Sequence, residues 1–330
     1  MSRLAIVGSG SWGTALALSQ ARRGDHDIAL WSHSASVAES IAKQRENVAY
    51  LPGFPIPLQI TPTTDMALAV RSADIVISAV PSQHVRATYR AMAPFLHEGQ
   101  LIVSATKGIE DQTFLRMSQV IEQVTGMPCG SLSGPSFAQE VAAGAPTAIT
   151  IAFADGRLAN RLQEELTAPA LRLYTNDDVI GVELGGALKN VIALAAGIAS
   201  GLGLGHNSAA AIITRGVAEI TRLAVACGGH RETLAGLSGL GDLVLTCTGP
   251  LSRNRSVGVE LGRGHKLPEI LAKLNGKVAE GVRTTSAAFG LAHAHDVEMP
   301  ITEQMAAILE HGKSPQDAIR DLMARPGREE

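Results

Sequence analysis

Short apolar runs alternate with helical patterns over the first half of the chain. Leu4-Ala5-Ile6-Val7 reads as a strand, and residues 14–23 read as a helix closed by Gly24. Ile28-Ala29-Leu30-Trp31, the run 73–80 and Leu101-Ile102-Val103-Ser104 read as further strands, the last followed by a helix over 114–124. Two later strands fall at 148–153 and 171–174. Runs that are apolar throughout and separated by helices predict a parallel sheet covered on both faces. The segment Leu51-Pro52-Gly53-Phe54-Pro55-Ile56-Pro57 reads as a proline-rich connection inside this half, not as a domain linker.

From about Asp177 the strand signals nearly vanish. Residues 182–200, 209–227, 286–295 and 301–311 read as helices, with Gly228-Gly229 and Gly312 as C-caps. The pattern divides the chain into a sheet-containing domain over 1–180 and an all-helical domain over 181–330.

Composition narrows the class. Of 330 residues, 45% are apolar, 18% charged and only 3% aromatic, so a globular core must be built from small aliphatic side chains. The net charge of −3 offers no electrostatic footprint for nucleic acid or an anionic membrane. Cys129, Cys227 and Cys247 form no C-x-x-C pair and read as small core residues in a reducing compartment. Ser2-Arg3 leads straight into an apolar strand, too short for a signal peptide, and the apolar stretch 191–205 is glycine-broken. These features predict a cytoplasmic protein with no membrane span.

The candidate chemistry begins with Gly8-Ser9-Gly10-Ser11-Trp12-Gly13, directly after the first strand and opening the first helix. In a Rossmann-type fold the first such glycine permits a tight turn. The second admits a pyrophosphate to the backbone, and the third lets helix pack on strand. An NAD site would place an acid about 20 residues on; here His33 stands in Trp31-Ser32-His33-Ser34. No carboxylate there repels a 2′-phosphate, so both NAD(H) and NADP(H) are admitted. His33 is a candidate contact to the ribose or its phosphate, whereas Arg45 reads rather as a solvated helix face.

Lys107, in Ser104-Ala105-Thr106-Lys107-Gly108, stands at the carboxyl end of a predicted strand, where ligands bind in such sheets; it reads equally as an exposed loop lysine. Leu132-Ser133-Gly134-Pro135-Ser136-Phe137-Ala138 is a loop entering a helix, suited to an anion or to plain capping. Lys189 and Asn190 interrupt an apolar helix. A lysine there loses charge stability and becomes a candidate general acid and base, unless it snorkels outward. Asp242, after Gly239-Leu240-Gly241, is placed to orient Lys189 or a substrate hydroxyl. Ser252-Arg253-Asn254 opens a predicted helix; it offers a phosphate a planar guanidinium, or it is a surface helix capped by Ser252. His293 and His295, at i, i+2 spacing on a helix, diverge, and no metal site is expected.

Taken in order, these six motifs closely resemble the bacterial NAD(P)-dependent glycerol-3-phosphate dehydrogenases, from Arg3 to about Ala324. The resemblance implies reversible reduction of dihydroxyacetone phosphate to sn-glycerol 3-phosphate, serving phospholipid synthesis, by a homodimer. It implies Lys189 as proton donor and acceptor. Lys107, Gly134, Ser136, Asp242, Ser252, Arg253 and Asn254 join Lys189 as implied substrate contacts. Ser11, Trp12, His33, Lys107, Ala138, Arg253, Val278 and Glu280 are implied cofactor contacts, beside Gly8, Gly10 and Gly13. The alternatives are another two-domain hydroxyacid or ketopantoate-type reductase, or a nicotinamide-binding sensor without turnover.

Overall fold

The computed structural model describes residues 2–274 and 279–327. Its strands are β1 (Ser2–Val7), β2 (His26–Trp31), β3 (Glu46–Asn47), β4 (Leu51–Pro55), β5 (Ile60–Thr63), β6 (Ile75–Ser78), β7 (Leu101–Ser104), β8 (Cys129–Ser133), β9 (Thr147–Ala152) and β10 (Leu171–Asn176). Eight of them make one sheet in the order β10-β9-β8-β7-β6-β1-β2-β5, while β3 and β4 pair separately. Along β1, Leu4 and Ile6 enter one apolar core and Ala5 and Val7 enter the other, which is why this strand is apolar throughout.

The sheet departs from the sequence reading in three places. The β8–β9 pairing is antiparallel, Ser131 lying opposite Ala152, so the sheet is parallel-dominated rather than wholly parallel. Four strands were not foreseen: β3 and β4, which pair separately, and in the main sheet β5, whose Pro62 is tolerated because β5 is an edge strand, and β8, built from small and polar residues. Within the proline-rich connection, Leu51–Pro55 is itself an edge strand. The helix expected from residue 114 starts at Met117, because Phe114 holds a left-handed φ of 57°.

The last strand ends at Asn176, and a 23-residue helix starts at Val179 and runs to Gly201. Asp178 caps it, its carboxylate accepting from Gly181 N and His230 N, each at 2.8 Å. On its first turns Glu183 is held by Arg116 at 2.6 Å and by Ser118 N at 2.8 Å, which fastens the helix to the sheet-containing half. Apart from Glu183, Lys189 and Asn190, this helix is apolar all round because neighbours cover it on nearly every side, with Leu188 and Ile192 in one cluster and Leu194 and Ile198 in another. Among the described residues it is the one single helix long and apolar enough to cross a bilayer, yet it is mostly buried inside the protein.

The helix Arg253–Gly262 crosses the long helix at backbone contact distance. A Cβ on Gly197 would lie 2.2 Å from the Arg255 carbonyl oxygen, and one on Gly258 would lie 2.1 Å from that of Leu194. Glycine at both positions permits this approach. The crossing brings the start of one helix against the middle of the other.

Candidate active site

The glycine-rich turn follows β1 and opens the helix Ser11–Ala21. Gly8 adopts φ 118°, and a Cβ on Gly13 would sit 1.8 Å from the Gly8 carbonyl oxygen, so the turn closes only with glycine at both ends. At Gly10, by contrast, nothing lies within 4 Å of an added Cβ. Gly10 provides no side-chain cap, and the helix has no acid in its first turn, so its N-terminal N–H groups suit an anion. Among the described residues, buried Trp12 Nε1, on the first turn of this helix, has no hydrogen-bond partner. These are the features a pyrophosphate-bearing cofactor requires. Buried Asn47, which the sequence reading passed over, braces the turn, its amide donating to Ser9 O and Thr14 Oγ1 at 2.8 Å each.

Other cofactor candidates are distributed as follows. Ser11 Oγ donates to Tyr50 O at 2.7 Å, which leaves its backbone N–H for a ligand. His33 is exposed at the carboxyl end of β2. Arg45 is not a solvated helix-face residue. It caps the helix Ala35–Gln44 in the left-handed region, and its guanidinium donates to the carbonyls of Ile56 at 2.9 Å and Ile60 at 3.1 Å. Ala138 begins the short helix Ala138–Ala143 and packs against the sheet core. Val278 lies outside the described residues.

Asp242 is the centre of the second group. It is buried, at 1% exposure, and each of its oxygens receives one ammonium: Lys189 Nζ on Oδ1 and Lys107 Nζ on Oδ2, both at 2.6 Å. Lys189 also donates to Thr246 Oγ1 at 2.7 Å, and that hydroxyl donates to the Asp242 carbonyl at 2.7 Å. Burial pushes the Lys189 ammonium down to about 8. Asp242 opposes that fall, and the second cation, Lys107, adds to it. Lys189 therefore points inward and does not snorkel; Lys107, in turn, is paired and not a free loop lysine.

The rest of the lining follows from this pair. Gly134 O accepts from Lys107 Nζ and from Ser136 Oγ, each at 3.0 Å. The Gly-Leu-Gly before Asp242 is no loose loop: Leu237–Gly241 forms one wide π turn leading into the helix Asp242–Thr248. Such turns recur at functional sites because they re-aim a side chain that an α-helix would point elsewhere. The sequence reading gives Thr246, part of the same motif, no role of its own; its signal is the i, i+4 spacing from Asp242 on that helix.

Ser252 caps the helix Arg253–Gly262, its hydroxyl accepting from Arg255 N at 3.2 Å. Asn254 is buried, and its amide donates to Asn190 Oδ1 at 2.9 Å, so Arg253-Asn254 is bound to the helix turn that bears Lys189. Its carbonyl oxygen accepts from Gly281 N at 3.0 Å, which brings Glu280 to the same place. Arg253 itself is exposed and makes no hydrogen bond to another described residue. The protein walling it lowers its pKa by desolvation, and Glu280 opposes that. The residue keeps one side open to solvent, which leaves it available to an anion. Among the described residues no cluster of His, Cys, Asp and Glu suits a metal, and all three cysteines are free.

Residues 3–159 match the model of the NAD-dependent glycerol-3-phosphate dehydrogenase N-terminus, and 178–320 match that of its C-terminus. A glycerol-3-phosphate dehydrogenase [NAD(P)+] of Acidobacterium capsulatum is 61% identical over the whole of both chains. The crystal structure of glycerol-3-phosphate dehydrogenase from Coxiella burnetii is 40% identical with a TM-score of 0.94, over 98% of this chain and 99% of that one. A ketopantoate reductase from Ralstonia eutropha, 14% identical with a TM-score of 0.61 over 96% and 99% of the two chains, shares the fold alone. The chain belongs to the NAD(P)-dependent glycerol-3-phosphate dehydrogenase family.

Proposed function

We propose that this chain reversibly reduces dihydroxyacetone phosphate to sn-glycerol 3-phosphate, and that residues 1–180 hold the nucleotide while 181–330 supply most of the substrate site. One observation carries the reading: buried Lys189 shares the Asp242 carboxylate with Lys107, and Asn254, next to Arg253, is bound to Asn190, next to Lys189. Gly8, Gly10, Ser11, Trp12, Gly13, His33 and Ala138 face the nucleotide, with Glu280, Arg253 and Lys107 at its reacting end. Val278 joins them by the resemblance.

The nicotinamide, when bound, exchanges a hydride with substrate C2. As the carbonyl oxygen gains charge, the Lys189 ammonium stabilises it and donates a proton; as an amine, Lys189 takes the hydroxyl proton in reverse. Asp242 holds that nitrogen in place and keeps the ammonium accessible near neutral pH. Lys107, Gly134 and Ser136 line the substrate side, and Ser252, Arg253 and Asn254 receive the phosphate. Binding energy from that remote anion fixes the carbonyl for reaction. A sensor without turnover would have no use for a buried, depressed lysine.

We further place the enzyme in the cytoplasm as a homodimer serving phospholipid synthesis, on the resemblance to its family. The test is NAD(P)H absorbance with dihydroxyacetone phosphate, with unphosphorylated dihydroxyacetone and with ketopantoate. Turnover confined to the phosphorylated substrate supports the reading. Turnover of ketopantoate, or none of any substrate, overturns it.

A further inference from the structure

One side chain outside the motifs reaches across the two halves. Ser82 lies just beyond the carboxyl end of β6, an interior strand next to β1, and it is buried, at 6% exposure. Its hydroxyl donates to Glu280 Oε2 at 2.9 Å, across 198 residues of sequence. Glu280 begins the helix Glu280–Ala294, and Gly281 behind it is held by Asn254. The Ser82 contact therefore fixes the free end of a carboxylate whose backbone is already fixed.

Space for this contact comes from Gly108. A Cβ there would lie 2.5 Å from Ser82 Cβ and 2.7 Å from Ser82 Oγ, and 4.0 Å from Glu280 Oε2. Gly108 is not in the left-handed region, so its backbone conformation alone does not require glycine. The packing of Ser82 does.

We propose that Ser82 is a positioning residue for Glu280, and that Gly108 stays without a side chain so that Ser82 can hold that carboxylate toward the nucleotide. The proposal rests on the reading of Glu280 as a nucleotide contact. Burial raises the Glu280 pKa, and the Ser82 hydrogen bond works against that rise. Removing the hydroxyl thus misplaces the carboxylate and favours its protonated form.

The experiment measures kcat and both KM values against pH for wild type, Ser82→Ala, Ser82→Thr, Gly108→Ala and Glu280→Gln. A hydrogen bond to a charged group justifies an expected rise in nucleotide KM of about tenfold for Ser82→Ala. Its kcat and its KM for dihydroxyacetone phosphate should stay within about twofold. The inflection in nucleotide KM against pH should move upward, Ser82→Thr should restore both, and Gly108→Ala should copy Ser82→Ala. An unchanged nucleotide KM and inflection in Ser82→Ala, while Glu280→Gln raises that KM, overturns the proposal. An unchanged KM in Glu280→Gln instead overturns the underlying reading of Glu280, and the proposal falls with it.

Discussion

The Lys189 ammonium rests 2.6 Å from Asp242 Oδ1, although the two residues are 53 apart in sequence and arrive on different helices. A buried lysine is tolerated because a buried carboxylate meets it; that carboxylate is tolerated because a second lysine shares it. The arrangement holds one net positive charge in a dry place. A carbonyl oxygen acquiring negative charge during reduction would meet that charge with little reorganisation.

Lys189→Met keeps the length and the apolar stem but removes the proton-transfer group. It should lower kcat by roughly 10²–10⁴-fold while leaving nucleotide binding intact. With Lys189 as the proposed acid and base, wild-type reduction should decline above pH about 8, whereas oxidation, using the amine, should climb through pH about 8. Asp242→Asn removes the group that favours the ammonium, so both inflections should move to lower pH. Rate profiles in both directions check this, and inflections that stay in place would detach Asp242 from the titration.

Gly10 and Gly13 should part company under the same substitution. Gly10→Ala meets open space and a φ of −68°, so it should fold with an unchanged unfolding midpoint, yet nucleotide KM should rise because the methyl stands where a pyrophosphate must approach. Gly13→Ala drives a methyl into the Gly8 carbonyl and should lose more than about 3 kcal/mol of stability. Thermal unfolding combined with nucleotide titration separates the two outcomes. Equal behaviour would refute the division of roles between the two glycines.

Local pattern made some of this readable and hid the rest. The glycine spacing around Gly8 and Gly13 is a short-range steric demand, so it shows in the sequence. Lys189 shows too, because a charge inside an apolar helix contradicts its surroundings. The pairing of Lys107 with Asp242, by contrast, joins residues 135 apart, and nothing local predicts it. Ser82 was invisible because its partner, Glu280, comes from a distant helix, and Asn47 because buried asparagines look like loop residues. The strand Cys129–Ser133 escaped notice because its burial comes from neighbouring strands, not from bulky side chains of its own.

Glu219 should give the fold a pH signature of its own. It is buried, at 2% exposure, and accepts from Ile301 N at 2.6 Å and Thr302 N at 3.2 Å, capping the helix Pro300–His311. Burial pushes its carboxyl up from 4.5 to about 7. A raised folded pKa favours the protonated native state, so this stabilisation is present below pH about 4.5 and is lost as pH rises to about 7. At 1.36 kcal/mol per pH unit the loss is about 3 kcal/mol. Denaturant melts of wild type and Glu219→Gln at pH 5 and pH 8 should show a smaller pH effect in the variant. Equal slopes would mean that Glu219 does not titrate in this range.

Nucleotide choice should turn on the exposed His33. Installing Asp there puts a carboxylate where a 2′-phosphate would lie, so NADPH use should fall by like-charge repulsion while NADH use is spared. The ratio of kcat/KM for the two nucleotides reads this directly. An unchanged ratio would place the adenosine end elsewhere.

Substrate choice should turn on Arg253. It is open to solvent and free of hydrogen bonds to described residues, while Asn254 ties its helix to Asn190 beside Lys189. An anion that covers Arg253 would desolvate the pair, and truncating such a partner costs about 2–5 kcal/mol. Arg253→Ala should therefore lose roughly 30- to 5,000-fold in kcat/KM for dihydroxyacetone phosphate. Arg253→Lys should recover only part, because an ammonium cannot reproduce the planar fork. Arg255→Ala should be mild, since that side chain turns away to Ser200 Oγ at 3.4 Å. Unphosphorylated dihydroxyacetone should be a poor substrate throughout and nearly indifferent to Arg253. The decisive quantity is the mutant-to-wild-type ratio for the two substrates side by side: a large loss for the phosphorylated one alone locates its phosphate at Arg253, and equal losses would assign that arginine to the nucleotide or to the fold.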